Sequence, residues 1–414
     1  MTLAEHLRFV SAASPFYRRQ RADPAELRSF PLTSKQIVRS NLAEMLTTET
    51  GAGRKALAGE LLRPADGKQD AHAAEVRFGR DIVIEQTSGT SGIPARFPKT
   101  LAERAELSVT SFSQRRRFDP DLKVDQLVPL FHLNWNQRMD FNLSGVAPGD
   151  VQRLYAWLDQ RKARWIHLPA SMILRHAQAL EEAGVRQPVP SLKFVEAAGS
   201  RLSSAAVEAV RRVFQADTVN QYGTREVWAI GYARGIRPFR LNTAAVEVEL
   251  VGEDGGRIDG PGVEGDVVVT SLILKLLPLI RYRTGDRGSW VEDPDETGRP
   301  ARRLALAEDR DINMLVIDGR RMSGVQLFRN ILNRVYGIVG YSGVTGVQVT
   351  QIGAAKLRLT INKSEKAGQI CRLFLEECRK LHAGVEVEFD ICERQDDPSF
   401  DRKENLFVNR WNFK

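Results

Sequence analysis

An alternation of strand and helix patterns between Leu101 and Phe214 constrains the fold of this chain most strongly. Predicted elements follow one another in the order helix 101–118, strand 126–132, helix 151–162, strand 165–168, helix 171–183, strand 192–195 and helix 203–214. Short apolar strands joined by amphipathic helices pack as a mainly parallel sheet with helices on its faces. This region therefore predicts a layered α/β unit.

The regions on either side of this unit have different patterns. Residues 1–60 indicate helical segments, and 241–290 alternate strand-like runs with glycine-rich turns, which predicts a β-rich subdomain. A length of 414 residues suits two or three folded units. We expect a large N-terminal α/β domain over residues 1–310 and a small, mobile α+β domain over residues 311–414.

Composition narrows the classes of function. The net charge is +8, from 60 basic and 52 acidic residues, but the basic residues are scattered along the chain. No zinc-finger spacing and no basic-aromatic pattern are visible, so we expect no nucleic acid as a partner. The net positive charge instead suits acidic small molecules such as nucleotides or CoA.

Cysteine usage and the apolar runs predict the compartment. Cys371, Cys378 and Cys392 form no CxxC pair, which is typical of a reducing environment. Met1–His6 has no basic head or apolar run of a signal peptide, and the longest apolar stretch, 272–280, is too short to span a bilayer. We expect a cytoplasmic protein, monomeric or homodimeric, without a membrane partner.

A run of small residues follows a short apolar strand at 81–84. It consists of Thr87, Ser88, Gly89, Thr90, Ser91 and Gly92. Such residues leave backbone N–H groups unobstructed and add hydroxyl donors, as a phosphate-binding loop requires. The alternative is a flexible surface loop, and the rest of the chain must decide between the two.

Four further stretches follow this run in a fixed order. They are Ala197-Ala198-Gly199-Ser200-Arg201-Leu202, Asn220-Gln221-Tyr222-Gly223-Thr224-Arg225-Glu226, Leu279-Ile280-Arg281-Tyr282-Arg283-Thr284-Gly285-Asp286, and Asp309-Arg310-Asp311 with 314–325. Together with 87–94, they resemble the adenylate-forming superfamily of acyl-CoA synthetases, and most closely the phenylacetate–CoA ligase group. The resemblance covers nearly the whole chain.

The resemblance implies a reaction. ATP and a carboxylic acid, here expected to be aromatic, form an acyl-adenylate and pyrophosphate, and a thiol then displaces AMP. The acceptor implied is CoA, and the implied cofactors are ATP and Mg²⁺. A protein with this activity mainly positions its substrates and neutralises the charge that develops in the transition state.

The resemblance also implies a role for particular residues. The run 87–92 would bind the β- and γ-phosphates, and Glu226 would be a catalytic residue that holds Mg²⁺. The adenosine site would comprise Gly199, Ser200, Tyr222, Gly223, Asp286 and Arg310. Asp286 would accept hydrogen bonds from both ribose hydroxyls.

Further implied roles concern the acid. Lys403 would reach the acyl carboxylate and the α-phosphate as a catalytic residue. His132 would line or gate the acyl pocket, which would also contain Phe131, Trp135, Val195 and Ala198. Some related proteins have a zinc site after the Tyr-Gly segment, but 227–241 contains neither Cys nor His, so we expect no zinc.

Three departures from the family pattern keep alternatives open. Arg225 stands where the family has Ser or Thr, Ala95 and Arg96 stand where the wider superfamily has a Lys, and no Gly precedes Lys403. The alternatives are transfer of the acyl group to a carrier-protein thiol or an amine, and a degenerate nucleotide-binding homologue without ligase activity.

Overall fold

The computed structural model describes residues 2–48, 51–62, 75–86, 96–130, 148–199, 201–252, 254–294, 298–307, 314–317, 320–339, 347–381, 384–392 and 407–411. Described helices are α1 (Leu3–Ala13), α2 (Pro15–Gln20), α3 (Lys35–Ser40), α4 (Leu42–Met45), α5 (Gly51–Leu62), α6 (Leu101–Arg115), α7 (Pro148–Gln160), α8 (Ala170–Glu182), α9 (Ser204–Ala209), α10 (Gly324–Val339) and α11 (Ala367–Leu381). None of the helices within these ranges is long and apolar enough to cross a bilayer.

The described strands form five sheets. Strands of the first half are β1 (Glu75–Phe78), β2 (Ile82–Gln86), β3 (Arg96–Thr100), β4 (Leu127–Pro129), β5 (Trp165–Pro169), β6 (Phe194–Ala198), β7 (Asp217–Thr224), β8 (Trp228–Arg234) and β9 (Arg240–Leu241). Those of the second half are β10 (Val246–Val251), β11 (Glu264–Ser271), β12 (Tyr282–Pro294), β13 (Pro300–Leu306), β14 (Met314–Ile317), β15 (Arg320–Ser323), β16 (Val347–Gly353), β17 (Lys356–Asn362), β18 (Glu386–Cys392) and β19 (Phe407–Asn409).

The main sheet has the order β4-β5-β6-β7-β8-β9, with β4 to β7 parallel and β8 and β9 antiparallel. An apolar core between this sheet and α7, α8 and α9 buries alternate strand residues. A smaller cluster, which includes Trp165 and Phe194, lies on the opposite face, with Phe112 of α6 packed against it. Helices therefore cover both faces of a largely parallel sheet, as the alternation of patterns predicted.

The antiparallel sheet β10-β11-β12-β13 shares its core with the N-terminal helices and with β2, β3 and β8. Thr33 attaches the N-terminal segment to the start of β12, because its N–H donates to the Arg281 carbonyl at 2.9 Å and its carbonyl accepts from the Arg283 N–H at 2.9 Å. The hairpin β2–β3 and strand β1 form a separate three-stranded sheet. The β-rich region and the α/β unit thus share one apolar core, to which β8 and β12 both contribute.

The last part of the chain forms the hairpin β14–β15 and the sheet β18-β17-β16-β19. Helices α10 and α11 pack on this sheet around an apolar core. The buried residues of this core all lie between Leu315 and Phe407 in the sequence. The predicted mixed α/β class is confirmed by these sheets and helices. A domain boundary near residue 310, and the mobility of the last domain, stay predictions.

Candidate functional site

The first part of the candidate site joins Asp286 on β12 to Tyr222 on β7. The Tyr222 hydroxyl donates to Asp286 Oδ2 at 2.8 Å, although the two residues are 64 positions apart. The Asp286 N–H donates to Thr284 Oγ1 at 3.1 Å, and this hydroxyl in turn donates to the Val267 carbonyl at 3.1 Å. Backbone and side-chain contacts therefore orient the Asp286 carboxylate.

The second part of the site contains Glu226, in the turn between β7 and β8. The Tyr282 hydroxyl donates to Glu226 Oε1 at 3.1 Å. Tyr282 itself is buried at the first position of β12, the strand that also carries Asp286. Strand β12 thus carries Asp286, which contacts Tyr222, and Tyr282, which contacts Glu226. The two carboxylates predicted for the site, Asp286 and Glu226, therefore lie where β12 meets the end of β7, which we call the β7–β12 junction.

The turn that carries Glu226 has a constrained backbone. Trp228 has φ of 63°, in the left-handed region that costs free energy for a residue with a Cβ. A Cβ placed at Gly223 would lie 2.3 Å from the Trp228 carbonyl oxygen. Only glycine therefore permits the close approach of β7 and β8 at this β-bulge.

Gly199 follows β6 at the carboxyl end of the parallel strands, with φ of 70°. In open α/β sheets, ligands bind beyond this end. Ala198 precedes it on the face of β6 opposite to Val195, because successive strand residues alternate between faces. Val195 is buried among residues of the core under α7, α8 and α9. This corrects the expectation that Val195 and Ala198 line one pocket.

Several predicted site residues lie outside the described residues. They are Thr87, Ser88, Gly89, Thr90, Ser91, Gly92, Phe131, His132, Trp135, Ser200, Arg310 and Lys403. Among the predicted residues that the structure describes, it brings together Tyr222, Gly223, Glu226 and Asp286. Their roles in binding nucleotide and metal stay predictions.

A buried ion pair beside this junction was not predicted from the sequence. Lys99 Nζ on β3 lies 2.9 Å from Glu85 Oε2 on β2, and both side chains are at most 1% exposed. Burial alone would raise the pKa of Glu85, but Lys99, the Trp228 indole N–H and Arg104 outweigh burial and lower it. Glu85 is therefore ionised at neutral pH. We call the set Glu85, Lys99, Arg104 and Trp228 the β2–β3 cluster.

A second buried carboxylate, Glu196 on β6, was also not predicted from the sequence. Arg115 of α6 donates two hydrogen bonds to it, from Nε at 2.6 Å and from an Nη at 2.9 Å, and the Trp165 indole N–H donates at 2.6 Å. His167 Nε2 lies 3.8 Å away. Although burial opposes ionisation, Arg115 and His167 lower the pKa of Glu196. We call Glu196, Arg115, Trp165 and His167 the β6 cluster.

Arg96, the residue that follows the predicted phosphate loop, has partners on α5. It is buried, and its guanidinium donates to the Glu60 carbonyl at 3.2 Å. Within the described ranges, no group of three or more His, Cys, Asp or Glu side chains is arranged to hold a metal ion. The absence of zinc from the protein stays a prediction.

Similarity in sequence to a known protein covers part of the chain. No model of a known protein family matches the chain. Over 186 residues, the chain is 27% identical to a phenylacetate–coenzyme A ligase of Aromatoleum evansii. That match covers 43% of this chain and 41% of the relative, so it spans about two fifths of the relative's length.

Solved structures match over a larger part of the chain. A 2-hydroxyisobutyryl-CoA ligase in the postadenylation state, in complex with 2-HIB-AMP, superimposes with a TM-score of 0.64 at 18% identity. This alignment covers 99% of the present chain and 88% of the other. McyG A-PCP, complexed with phenylalanyl-adenylate, aligns with a TM-score of 0.53 at 14% identity over 78% of this chain and 57% of the other.

These comparisons confirm the predicted resemblance. The chain has the fold of adenylate-forming enzymes, and part of its sequence is similar to a phenylacetate–CoA ligase. At identities below 20%, the structural similarity establishes the fold alone. The reaction must be argued from the residues of the site.

Proposed function

We propose that this protein is an AMP-forming acid–thiol ligase. It activates a carboxylic acid with ATP to an acyl-adenylate and pyrophosphate, and then transfers the acyl group to the thiol of CoA, with release of AMP. The fold shared with 2-hydroxyisobutyryl-CoA ligase and the sequence similarity to a phenylacetate–CoA ligase support this assignment.

The observation that carries the proposal is the pair of hydrogen bonds at the β7–β12 junction. Tyr222 contacts Asp286 at 2.8 Å, and Tyr282 contacts Glu226 at 3.1 Å. The two carboxylates come from distant parts of the sequence and perform different tasks. Asp286 accepts hydrogen bonds from the ribose diol, since one carboxylate offers several acceptor positions.

Glu226 suits a magnesium ion. Tyr282 donates to its Oε1, and a carboxylate has further acceptor positions on both oxygens. An anionic oxygen is the ligand that Mg²⁺ prefers, commonly beside phosphate oxygens of a substrate. When bound, the metal would offset negative charge on the polyphosphate.

The residues of this chain then act mainly by positioning. A carboxylate oxygen of the acid attacks the α-phosphorus, the bond to the bridging oxygen breaks, and pyrophosphate leaves. In the second step the thiol sulfur attacks the acyl carbon, loses its proton, and AMP departs with one oxygen of the acid. Residues 87–92 hold the polyphosphate, Arg310 contacts the ribose, and Lys403 reaches the acyl carboxylate during the first step.

We further propose an aromatic acid as the substrate. The matched relative is a phenylacetate–CoA ligase, and Phe131, Trp135 and Ala198 would supply flat apolar surface. His132 would orient the carboxylate at the mouth of this pocket. An aliphatic acid remains a competing substrate, because a structural relative is a ligase of 2-hydroxyisobutyryl-CoA.

Acid-dependent ATP–pyrophosphate exchange tests the first half-reaction. The full-length protein is incubated with Mg²⁺, ATP, labelled pyrophosphate and, in turn, aromatic and aliphatic acids. Exchange with an aryl acid supports the proposal. ATP binding without exchange for any acid would identify a nucleotide-binding protein without ligase activity, and exchange without thioester formation from CoA would direct attention to a carrier protein or an amine.

Asp286→Ala tests the proposed adenosine site. Loss of a charged acceptor for the ribose should weaken ATP binding by about 10–100-fold, as for hydrogen bonds to charged groups. Asp293→Ala is the matched control on the same strand, because Asp293 forms an exposed ion pair with Arg237. Calorimetric titration should show unchanged ATP affinity for the control, and equal affinities for the two variants would contradict the assignment of Asp286.

Lys403→Ala separates the two half-reactions. Adenylation should be strongly suppressed, whereas thioester formation from a supplied acyl-adenylate should be largely retained. We propose that Lys403 acts in the first step and that the C-terminal domain then moves Lys403 away before the second step. Rapid-quench assays of each half-reaction measure this difference. Equal losses in both would remove Lys403 from its proposed role.

A further inference from the structure

The β2–β3 cluster lies between the hairpin β2–β3 and the turn that contains Glu226. Glu85 is the penultimate residue of β2. In the pairing of β2 with β3, Glu85 lies opposite Phe97, and Lys99 follows Phe97 by two residues. This diagonal arrangement places the two charges on the same face of the hairpin. Their side chains, at 1% and 0% exposure, have no access to bulk water.

Lys99 is also bonded to the turn itself. Its Nζ donates to the Arg225 carbonyl at 2.9 Å, across 126 positions of sequence. Arg225 is the residue immediately before Glu226. A lysine ammonium has three donor positions, and two of them are thus assigned: one to the Glu85 carboxylate and one to the backbone of the turn.

The other end of the turn is attached to the same carboxylate. The Trp228 indole N–H donates to Glu85 Oε2 at 2.9 Å. Arg104 of α6 lies 3.3 Å from Glu85 Oε1, and its guanidinium carbon is 5.6 Å from the centroid of the Trp228 ring. Glu226 therefore lies between Arg225, whose carbonyl accepts a hydrogen bond from Lys99, and Trp228, whose indole N–H donates to Glu85.

The strained backbone of this turn explains why such attachment is needed. A residue such as Trp228, held in the left-handed region, persists only where surrounding contacts over-determine its conformation. Tyr282 holds the Glu226 side chain, and the Val227 N–H donates to Thr224 Oγ1 at 3.4 Å within the turn. The bond from Lys99 adds a charge-assisted contact to the backbone at Arg225. A buried charge is expensive unless it is paired, so an apolar pair would be the simpler way to fill this space.

We infer that Lys99 is a positioning residue that fixes the turn 225–228 through the Arg225 carbonyl, and so directs the Glu226 carboxylate toward the metal–polyphosphate part of ATP. The backbone part of this inference stands on the observed contacts, and the effect on nucleotide binding rests on the proposed function. It also gives a role to the backbone of Arg225, the residue by which this chain departs from the family pattern.

Lys99→Met tests the inference, because methionine retains most of the apolar stem and removes the ammonium. Amide hydrogen exchange, followed by mass spectrometry, measures the mobility of peptides that cover 222–230. Calorimetric titration measures the dissociation constants of MgATP and of AMP, which lacks the polyphosphate. Arg164→Met is the matched control, since it breaks an ion pair with Asp119 just before β5, at the amino end of the parallel strands.

Exchange in 222–230 should become at least about tenfold faster in Lys99→Met, the size expected when a charge-assisted hydrogen bond is lost. The dissociation constant for MgATP should rise by a similar factor, and that for AMP should stay within about twofold. Lys99→Arg should recover part of the MgATP affinity, and Arg164→Met should leave exchange in 222–230 and both dissociation constants unchanged.

Unchanged exchange in 222–230, or faster exchange with unchanged MgATP affinity, would overturn the inference. Equal losses for MgATP and AMP would also overturn it. If Lys99→Met does not fold, Trp228→Phe removes the indole hydrogen bond to Glu85 and keeps an aromatic ring at this position, and the same measurements decide with a smaller expected change. Failure of the wild-type protein to bind either nucleotide would contradict the proposed function, whereas hydrogen exchange would still decide whether Lys99 fixes the turn.

Discussion

Two buried carboxylates in this protein, Glu85 and Glu196, have partners of similar chemistry but lie in different surroundings. Glu85 is bonded to a lysine and an indole N–H, and Glu196 to an arginine and an indole N–H. In the β6 cluster, the contacts join side chains of the main sheet to helix α6. In the β2–β3 cluster, Lys99 also bonds a backbone carbonyl next to Glu226.

The difference lies in what each ion pair is attached to. Glu196 and Arg115 connect two layers, so we expect their loss to change stability. Glu85 and Lys99 connect a hairpin to a turn with a functional side chain, so we expect their loss to change ligand binding as well. Similar chemistry can thus serve packing in one region and positioning in another, and the backbone contact distinguishes the two.

Removing one partner of the β6 cluster should have the largest effect. Arg115→Met leaves Glu196 buried without its main counter-charge, which should lower the free energy of unfolding by about 3–5 kcal/mol. Urea denaturation followed by circular dichroism measures this change. Adding Glu196→Gln to the same protein should recover part of the loss, because the uncompensated charge is then removed. A loss below about 1 kcal/mol for Arg115→Met would contradict the role given to this ion pair.

The free energy of unfolding should depend on pH in different ranges for the two buried histidines and for the two paired carboxylates. Burial lowers the pKa of His6 and of His176 to about 4 each, from 6.5. Below pH 6.5 the unfolded chain binds protons that the folded protein excludes, so stability should fall as pH decreases from 6.5 to 4, by up to about 3 kcal/mol per histidine. The pKa values of Glu85 and Glu196 are lowered from 4.5, so the stabilisation from these carboxylates is present above about pH 4.5 and is lost as the pH falls below that value.

His6→Leu isolates one of these histidines. Neither ring nitrogen of His6 forms a hydrogen bond to the described residues, so leucine removes the titrating ring without removing such a contact. Unfolding free energies measured in urea at several pH values should show about half of the slope between pH 6.5 and 4. An unchanged slope would show that burial of His6 does not determine the acid response.

The smallest effect should come from Tyr222→Phe, which lies outside both clusters. It removes the hydrogen bond to Asp286 and leaves the buried ion pairs intact. This hydrogen bond orients the Asp286 carboxylate without contacting the nucleotide itself, so ATP should bind only roughly 2–10-fold more weakly, a smaller loss than that expected for Asp286→Ala. Titration with ATP measures this change, and a loss as large as that in Asp286→Ala would indicate that the tyrosine hydroxyl itself contacts the nucleotide.

The sequence was sufficient to predict the fold class and part of the candidate site. Strand and helix periodicity predicted the main sheet, and the order of five motifs predicted that Tyr222, Glu226 and Asp286 belong together. Lys99 and Glu85 could not be found in this way, because strand pairing between 85 and 97 brings them together and no local pattern marks it. Val195 was misplaced because a motif does not specify which face of a strand a residue occupies.

Transfer of oxygen from the acid to AMP tests the central claim most directly. The full-length protein is incubated with ATP, Mg²⁺, CoA and an acid that carries ¹⁸O in both carboxylate positions. If the acid attacks the α-phosphorus, mass spectrometry should find one ¹⁸O atom in each AMP released. Label in inorganic phosphate, or thioester formation with unlabelled AMP, would contradict an acyl-adenylate intermediate.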